Sequence, residues 1–232
     1  MENIKTKELI AQHLTLSAQY GHLQKSWNPK MAPYILGSQH GYHILDLHYS
    51  AQLLKLAGLA LEKKASKGGS FLFVGTNNVS STAIAQYALQ SKSFYVNSQW
   101  LGGTLTNSTT LQERIERLRL LESANQEDFC QSFSKKEKNA LKYELHRLKI
   151  LFDGVKNMQN LPAAAIFTCP LRNMIAVKEC IKLGIPTIAI CDTNCSPDLF
   201  TYPIPANDDS AASVTHILAY LSAKIIEGRK PC

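Results

Sequence analysis

Two positions combine residue types that could bind a nucleotide or catalyse a reaction. The turn at Gly75 follows an apolar segment and opens a helical pattern, and such turns hold phosphate on backbone amides in doubly wound folds. It lacks the further glycines and the lysine of the nucleotide-binding fingerprints, which favours a plain strand-to-helix turn. Asp192 ends an apolar segment where an enzyme could place a catalytic acid, but a turn role beside Thr193 and Asn194 fits better. A nucleotide-dependent α/β enzyme that uses the Gly75 turn and Asp192 is kept as the alternative function.

The paired carboxylates of Asp208 and Asp209 do not suit catalysis, because adjacent residues on a helix point about 100° apart. We predict instead that Asn207 caps a helix and that each carboxylate stabilises its first turn by about 0.3 to 1 kcal/mol. His22 and one of these aspartates could bind a metal ion, but no ligand spacing supports that site. The sequence therefore predicts no catalytic residue, no metal and no cofactor.

Two loops carry the residue types of a nucleic-acid surface. An indole offers a flat stacking face, lysine attracts phosphate, and glycine lets a backbone approach closely. A tryptophan near the end of a strand also commonly seals the edge of a core, so each loop alone is a weak indication. The loops span residues 21–31 and 100–107, and their candidate contact residues are Lys25, Trp27, Lys30 and Trp100.

Composition excludes several classes of protein. The chain has 232 residues, 45% of them hydrophobic, with 25 Lys+Arg against 18 Asp+Glu and a formal net charge of +7, which is typical of a folded domain. The best apolar runs, 161–169 and 185–191, are far shorter than the roughly 20 residues of a membrane helix. The N-terminus resembles neither a secretory signal nor an acid-poor transit peptide. Six cysteines without zinc-site spacing predict free thiols and a reducing compartment.

The positive charge is unevenly distributed. Residues 1–70 carry eight basic and four acidic residues, whereas residues 112–156 carry ten and eight. A dense run of both signs is typical of a solvated helical element, and it also suits a helix that faces nucleic acid.

Apolar patterns predict an α/β fold. Continuous apolar runs are typical of buried parallel strands, and the helices between them favour parallel pairing through crossovers. An N-terminal helix over residues 5–18 is followed by a loop and a short strand near residues 42–47. We predict a doubly wound, mainly parallel, flavodoxin-like sheet with strands at 71–74, 94–96, 164–168, 185–190 and 202–204, and helices at 50–65, 80–90, 173–182 and 208–227.

An inserted element interrupts this alternation. Leu111, Ile115 and Leu118 repeat at helical spacing, as does a second series from Leu141 to Val155, and a polar break separates the two. Two such helices would form an antiparallel hairpin of coiled-coil type. The predicted organisation is therefore an α/β domain of residues 1–110 and 157–232, with an inserted helical hairpin at 111–156.

Several short motifs are distributed along nearly the whole chain. They are Gly21-His22, Trp27-Asn28-Pro29-Lys30-Met31, Gly75-Thr76, Tyr95-Val96-Asn97, Trp100-Leu101-Gly102-Gly103, Leu105-Thr106-Asn107, Leu183-Gly184-Ile185-Pro186, Asp192-Thr193-Asn194 and Pro203-Ile204-Pro205-Ala206-Asn207-Asp208-Asp209. Together they resemble the signatures of the small-subunit ribosomal protein S2 family, over roughly residues 5–228.

The resemblance implies a non-catalytic role, with no small-molecule substrate and no membrane. Members of the family bind small-subunit ribosomal RNA near the junction of head and body. They contact other small-subunit proteins and help to hold the large RNA-binding protein that brings messenger RNA. The sequence of residues 192–199 and 204–209 looks closest to plastid and cyanobacterial versions of the family. This resemblance implies a chloroplast ribosome, with a mitochondrial or bacterial cytoplasmic ribosome as the alternative.

The chain departs from the family pattern at a few positions. The family usually has basic residues at the positions of Asn77, Asn78 and Gln99, and an acid at the position of Ala163. These changes remove positive charge from two loops.

The sequence hypothesis is a structural constituent of the small ribosomal subunit that binds ribosomal RNA and neighbouring proteins in translation. Trp27 and Trp100 would stack on RNA or brace their loops. A third possibility is an interaction module whose hairpin binds protein alone. The residues expected to contact phosphate are Lys25, Lys30, Arg114, Arg117, Lys135, Lys136 and Lys138.

Overall fold

The computed structural model of the chain describes Ile10, residues 13–124 and residues 135–230. Ile10 and residues 13–15 are helical, as predicted, whereas residues 16–18 form a turn, so the helix predicted over residues 5–18 ends earlier. Residues 1–9, 11 and 12 lie outside the described residues. Cys130, Cys232 and most of the predicted polar break also lie outside them. The four described cysteines, Cys169, Cys180, Cys191 and Cys195, are buried free thiols, as predicted.

The centre of the molecule is a five-stranded parallel sheet, which confirms the predicted fold class. Its strands lie in the order β5-β4-β6-β7-β8, so the chain reverses its direction of winding between β4 and β6. Leu72 of β4 pairs with Phe94 on one side and with Ala165 on the other. The strands are β4 (Phe71–Val74), β5 (Phe94–Val96), β6 (Ala164–Phe167), β7 (Thr187–Cys191) and β8 (Tyr202–Pro205).

Six helices cover the two faces of this sheet. Phe71 and Phe73 face one core with α1 (Leu47–Ala65), α2 (Asn78–Gln90) and α6 (Ala211–Arg229). Leu72 and Val74 face the other core with α3 (Ser108–Ala124), α4 (Lys135–Phe152) and α5 (Met174–Lys182). Because both faces are covered, every residue of β4, β6 and β7 is buried, as the continuous apolar runs predict.

A second, antiparallel sheet precedes α1, and of its three strands only the one near residues 42–47 was predicted. It consists of β1 (Tyr20–Leu23), β2 (Ile35–Gln39) and β3 (Tyr42–Leu45) in the order β1-β3-β2, with two short 3-10 helices between β1 and β2. The predicted loop over residues 21–31 is therefore wrong in part, since it begins in a strand. His40 and Gly41 both have positive φ, 51° and 83°, which is the two-residue turn that matches the twist of a hairpin.

Helices α3 and α4 pack against each other and against the sheet. Leu118 and Leu148 belong to the same core cluster as Val74 and Val96. The connecting residues 125–134 lie outside the described part of the chain. A closed hairpin of coiled-coil type, and domain boundaries at 110 and 157, therefore stay predictions.

Two helix starts differ from the sequence prediction. Helix α6 begins at Ala211 with Ser210 as its N-cap, so Asp208 and Asp209 precede the helix and Asn207 is not the cap. Helix α2 begins at Asn78, two residues before the predicted start, and the side chain of the preceding Asn77 makes no capping hydrogen bond. Among the described residues, no helix has the length and apolar character needed to cross a membrane.

Candidate nucleic-acid interface

The N-terminal sheet is held on the carboxyl end of the parallel sheet by Asp192 and Thr193. Asp192 directly follows β7 and is fully buried, and its Oδ2 lies 2.9 Å from Nδ1 of His22. The His22 backbone N–H donates to Asp192 Oδ1 (3.2 Å) and to Thr193 Oγ1 (2.9 Å). The Asn28 N–H donates to the Thr193 carbonyl at 2.7 Å. Motif residues that are 160 or more positions apart therefore form one joint.

Close packing explains two further motif residues of this joint. A Cβ atom at Gly21 would lie 2.5 Å from Thr193 Cγ2, so any side chain there would push the two sheets apart. Asn28 Oδ1 accepts a hydrogen bond from the Lys30 N–H at 3.0 Å and caps a short 3-10 helix that begins at Pro29. The roles of Gly21, Asn28 and Pro29 are thus structural.

An ion cluster lies at the same joint. His22 Nε2 lies 3.6 Å from Asp209 Oδ2. The hydrogen bond to Asp192, opposed by burial and supported by the three nearby carboxylates, raises the pKa of His22 to about 9. Burial, together with the charges of Asp192 and Asp209, raises the pKa of Asp208 to about 6. The imidazolium therefore offsets part of a concentrated negative charge.

The surface helix-dipole role predicted for Asp208 is wrong, because its side chain is only 5% exposed and lies ahead of the helix. Asn207 Oδ1 instead accepts the N–H groups of Asp209 (2.9 Å) and Ser210 (3.1 Å) in a turn that leads into α6. This turn directs Asp208 inward.

Three groups of the joint could coordinate a cation. His22, Asp208 and Asp209 each offer a ligand atom, and these atoms lie within 4.8 Å of one another. A metal would need the neutral imidazole, whereas a His22 pKa of about 9 keeps the ring protonated at neutral pH. The arrangement of these residues favours an internal ion pair over metal binding.

The first candidate contact loop has three candidate residues, and two of them, Lys25 and Trp27, are exposed and available for contact. Trp27 is 38% exposed, and its ring lies 5.2 Å from the His43 ring, so one indole face can still receive a base. Lys25 is exposed, and the ion pairs among the described residues do not include it. Lys30 is engaged, since its Nζ lies 2.8 Å from Asp198 Oδ2.

The second loop is organised by Glu179 of α5, a residue that the sequence analysis missed. One carboxylate oxygen accepts the indole N–H of Trp100 (3.0 Å) and the Gly103 N–H (2.8 Å). The other accepts the Leu105 N–H (2.9 Å) and both the N–H (3.2 Å) and the hydroxyl (3.3 Å) of Thr106. Burial raises the pKa of Glu179, but these hydrogen bonds outweigh it and hold the pKa below the ordinary value.

Trp100 therefore braces its loop, because its indole is only 8% exposed and is hydrogen-bonded to Glu179. Gly103 has φ of 91°, and its carbonyl accepts the Asn107 N–H at 2.7 Å. Asn107 Oδ1 in turn accepts from the Thr109 hydroxyl at 2.9 Å, at the start of α3. The adjacent Gly102 has nearly open space around its Cα, since an added Cβ would meet only Ile175 at 3.9 Å.

The basic residues of α3 and α4 differ in how free they are. Arg117 makes two hydrogen bonds to the Glu144 carboxylate, at 3.0 and 2.8 Å, so its charge is paired. Arg114, Lys135 and Lys136 are exposed and Lys138 is half-buried, and no ion pair of the described residues includes any of the four.

The nucleotide-binding position is filled by the protein itself. A Cβ atom at Gly75 would lie 2.0 Å from Thr168 Oγ1, and that hydroxyl is hydrogen-bonded to the Ser80 hydroxyl at 3.1 Å. The Thr76 hydroxyl donates to Asn173 Oδ1 at 3.2 Å. The Gly75 turn is thus packed against Thr168, and Asp192 is paired with His22, which agrees better with structural roles than with the alternative enzyme.

These features define a doubly wound α/β protein whose carboxyl edge is occupied by its own N-terminal sheet. A family model described as Ribosomal protein S2 matches residues 14–228. The chain is 46% identical to small ribosomal subunit protein uS2c of Trieres chinensis over 95% of this chain and 96% of that protein. It is 44% identical to uS2 of Thermosynechococcus vestitus (95% and 84%) and 42% identical to uS2c of Mesostigma viride (95% and 97%).

The chain belongs to the ribosomal protein S2 family. The resemblance seen in the sequence motifs is thereby confirmed, and with it the doubly wound fold.

Proposed function

We propose that the protein is a structural constituent of the small ribosomal subunit that binds ribosomal RNA and neighbouring ribosomal proteins. The relatives are named as small ribosomal subunit proteins and match nearly the full length of the chain. The observation that carries the proposal is that the enzyme-like positions, Gly75 and Asp192, are engaged in internal contacts, while exposed cations remain on the loop at residue 25 and on α4.

The proposed RNA contacts use charge and one aromatic face. Exposed lysines and arginines can neutralise phosphates, and Trp27 can stack on an unpaired base. Lys30 and Arg117 would have to exchange their acidic partners for phosphate, so we expect them to contribute less. Trp100 acts indirectly by shaping its loop. The primary contact set is Lys25, Trp27, Arg114, Lys135, Lys136 and Lys138.

The compartment that we propose is a plastid ribosome. Relatives from several algae are named uS2c, and a cyanobacterial uS2 matches at a similar identity. A mitochondrial or bacterial cytoplasmic ribosome is the alternative. Among the proposed protein partners is the large RNA-binding protein that recruits messenger RNA.

Salt dependence of RNA binding tests this function. Each phosphate contact contributes roughly 0.7 to 0.9 to the slope of log affinity against log salt, so about five contacts give a slope near −4. We would measure binding of the full-length protein to a transcript of a plastid-type small-subunit RNA at KCl concentrations from about 0.05 to 0.3 M. Electrostatic screening by salt changes strongly over this range. A slope near zero would refute the proposal.

A matched pair of double variants locates the contact. Lys135→Gln with Lys136→Gln should make the slope less negative by about 1.5, because two exposed phosphate contacts are removed. Arg172→Gln with Lys178→Gln removes the same charge from α5 and the turn before it, and should leave the slope unchanged. If the α4 variant also binds like the wild type, this helix instead faces a protein.

A further inference from the structure

The two edges of the parallel sheet differ in charge. We call the edge where its strands begin the amino edge and the opposite one the carboxyl edge. Helices α1 and α2 each run back to the start of the following strand, so they end at the amino edge. Helix α6 ends there too, since a Cβ atom at Gly228 would lie 2.3 Å from the Glu62 carbonyl oxygen. The Arg229 guanidinium also donates to the carbonyls of Ser91 and Lys92.

Five lysines from these three chain segments surround that junction. All except the half-buried Lys64 are exposed, and no ion pair of the described residues includes any of them. The only acids of the three helix ends, Glu62 and Glu227, are both bound by Lys224. We name this set the amino-edge lysine patch, and its members are Lys63, Lys64, Lys67, Lys92 and Lys230.

Counting the neighbouring Lys224 and Arg229, seven cations face two acids, which leaves a net charge of +5 on this surface. The carboxyl edge has only a slight excess of acids, because it holds five acids against two lysines, Arg172 and the protonated His22. Those acids are Asp46, Asp192, Asp198, Asp208 and Asp209. A polyanion is therefore attracted more strongly to the amino edge than to the carboxyl edge.

Helix-end electrostatics explain only part of the patch. Lys63 and Lys64 lie in the last turn of α1, where cations favourably meet the helix dipole. Lys67 and Lys92 lie beyond the helix ends. Lys92 also has φ of 49°, a left-handed conformation that glycine or asparagine adopts with less strain.

We propose that the amino-edge lysine patch binds the phosphate backbone of RNA as a second contact surface, distinct from the two loops and from the lysines of α4. The proposal rests on the ribosomal function proposed above. RNA fits better than an acidic protein, because protein interfaces are depleted in lysine and depend on aromatic or arginine anchors. The arginine present, Arg229, is already bound to backbone carbonyls. Lysines on flexible stems suit phosphates, which are recognised without regard to base sequence.

The test uses the full-length protein and the same RNA transcript. Lys63→Gln with Lys67→Gln should make the salt slope less negative by about 1.5 and weaken binding about 30-fold at 0.1 M salt. Adding Lys92→Gln should extend the loss to about 100-fold. The Arg172→Gln, Lys178→Gln protein is the control of equal charge. The urea midpoint of each variant should equal that of the wild type, which shows that folding is intact.

The possible outcomes separate the two proposals. Wild-type binding by the patch variants, beside weakened binding by the α4 variant, would overturn the patch and leave the ribosomal function standing. Equal weakening in the control would overturn it too, since only overall charge would then matter. Normal RNA affinity with release from small subunits on sedimentation would assign the patch to a protein neighbour. Absence of salt-dependent RNA binding by the wild type would remove both proposals.

Discussion

Replacing Glu179 with glutamine tests how the Trp100 loop is held. The carboxylate accepts five hydrogen bonds, two at one oxygen and three at the other. A glutamine keeps one oxygen, and its amide nitrogen must face at least two N–H donors, which then have no acceptor. Each buried donor left unpaired costs about 1 to 3 kcal/mol. We therefore expect Glu179→Gln to lower the free energy of unfolding by about 2 to 5 kcal/mol, a large part of a typical total of about 5 to 15 kcal/mol.

Urea unfolding and tryptophan fluorescence measure this effect. In a Trp27→Phe background the emission reports Trp100 alone, and we expect a red shift in the folded state of Glu179→Gln as the indole gains water. The urea midpoint should fall with an unchanged slope. Glu113→Gln is the control, because it removes the same charge from an exposed position on α3. A loss below about 1 kcal/mol with unshifted emission would show that packing, not the carboxylate, holds the loop.

Acid adds a second measurement on the same residue. Because the folded state lowers the pKa of Glu179, its carboxylate stabilises the fold at pH values above the unfolded pKa. That stabilisation is lost as the pH falls through the lower folded value. The Glu179→Gln protein should lack this component, so its stability should depend less on pH in the acid range. An identical acid profile in both proteins would contradict the hydrogen-bonding account.

Two further substitutions test the joint and the sheet. The pKa of His22 is about 9 in the folded state against 6.5 in the unfolded state. The stabilisation from this residue should therefore be complete below pH 6.5 and be lost as the pH rises through 9, by about 2 to 3 kcal/mol after allowing for partial exposure. In pH-dependent urea unfolding, the stability of His22→Gln should stay constant across this window. Gly75→Ala should cost about 1 to 3 kcal/mol by thermal or urea unfolding, because its Cβ would clash with Thr168, whereas Gly37→Ala, with nothing within 4 Å, should be nearly neutral. Equal stability of the two alanine variants would refute the packing argument.

The parallel sheet was predictable because each of its buried strands can be recognised from its own residues. Phe71–Val74 and Ala164–Phe167 are buried on both faces, so each reads as an uninterrupted apolar run. The antiparallel sheet was not predictable in the same way. Ile35–Gln39 is mostly exposed, with one partly buried residue at its start, and such a strand has neither an apolar run nor a clear alternation. Its pairing depends on a turn and on long-range docking.

The candidate site was predictable only in part. Motif spacing singled out Gly21, His22 and Asp192, but it could not show that they meet, since their contact depends on how the N-terminal sheet folds back. Asp208 was misplaced because a run of aspartates before an apolar helix also fits a surface first turn. Glu179 had a readable signal that was overlooked, since it is a charge on the buried face of α5 beside Cys180.

The position of the joint explains why an enzyme-like fold can serve a structural role. In open α/β sheets, ligands bind in the crevice outside the carboxyl ends of the strands, where backbone amides and strand-end side chains are free. Here Thr168 and Ser80 close the crevice at β4, and Asp192 is bound to His22. At the end of β7, Asp192 and Thr193 hold the protein's own N-terminal sheet. The RNA contacts that we propose therefore use surfaces outside the crevice, among them the loop at Lys25, helix α4 and the amino-edge lysine patch.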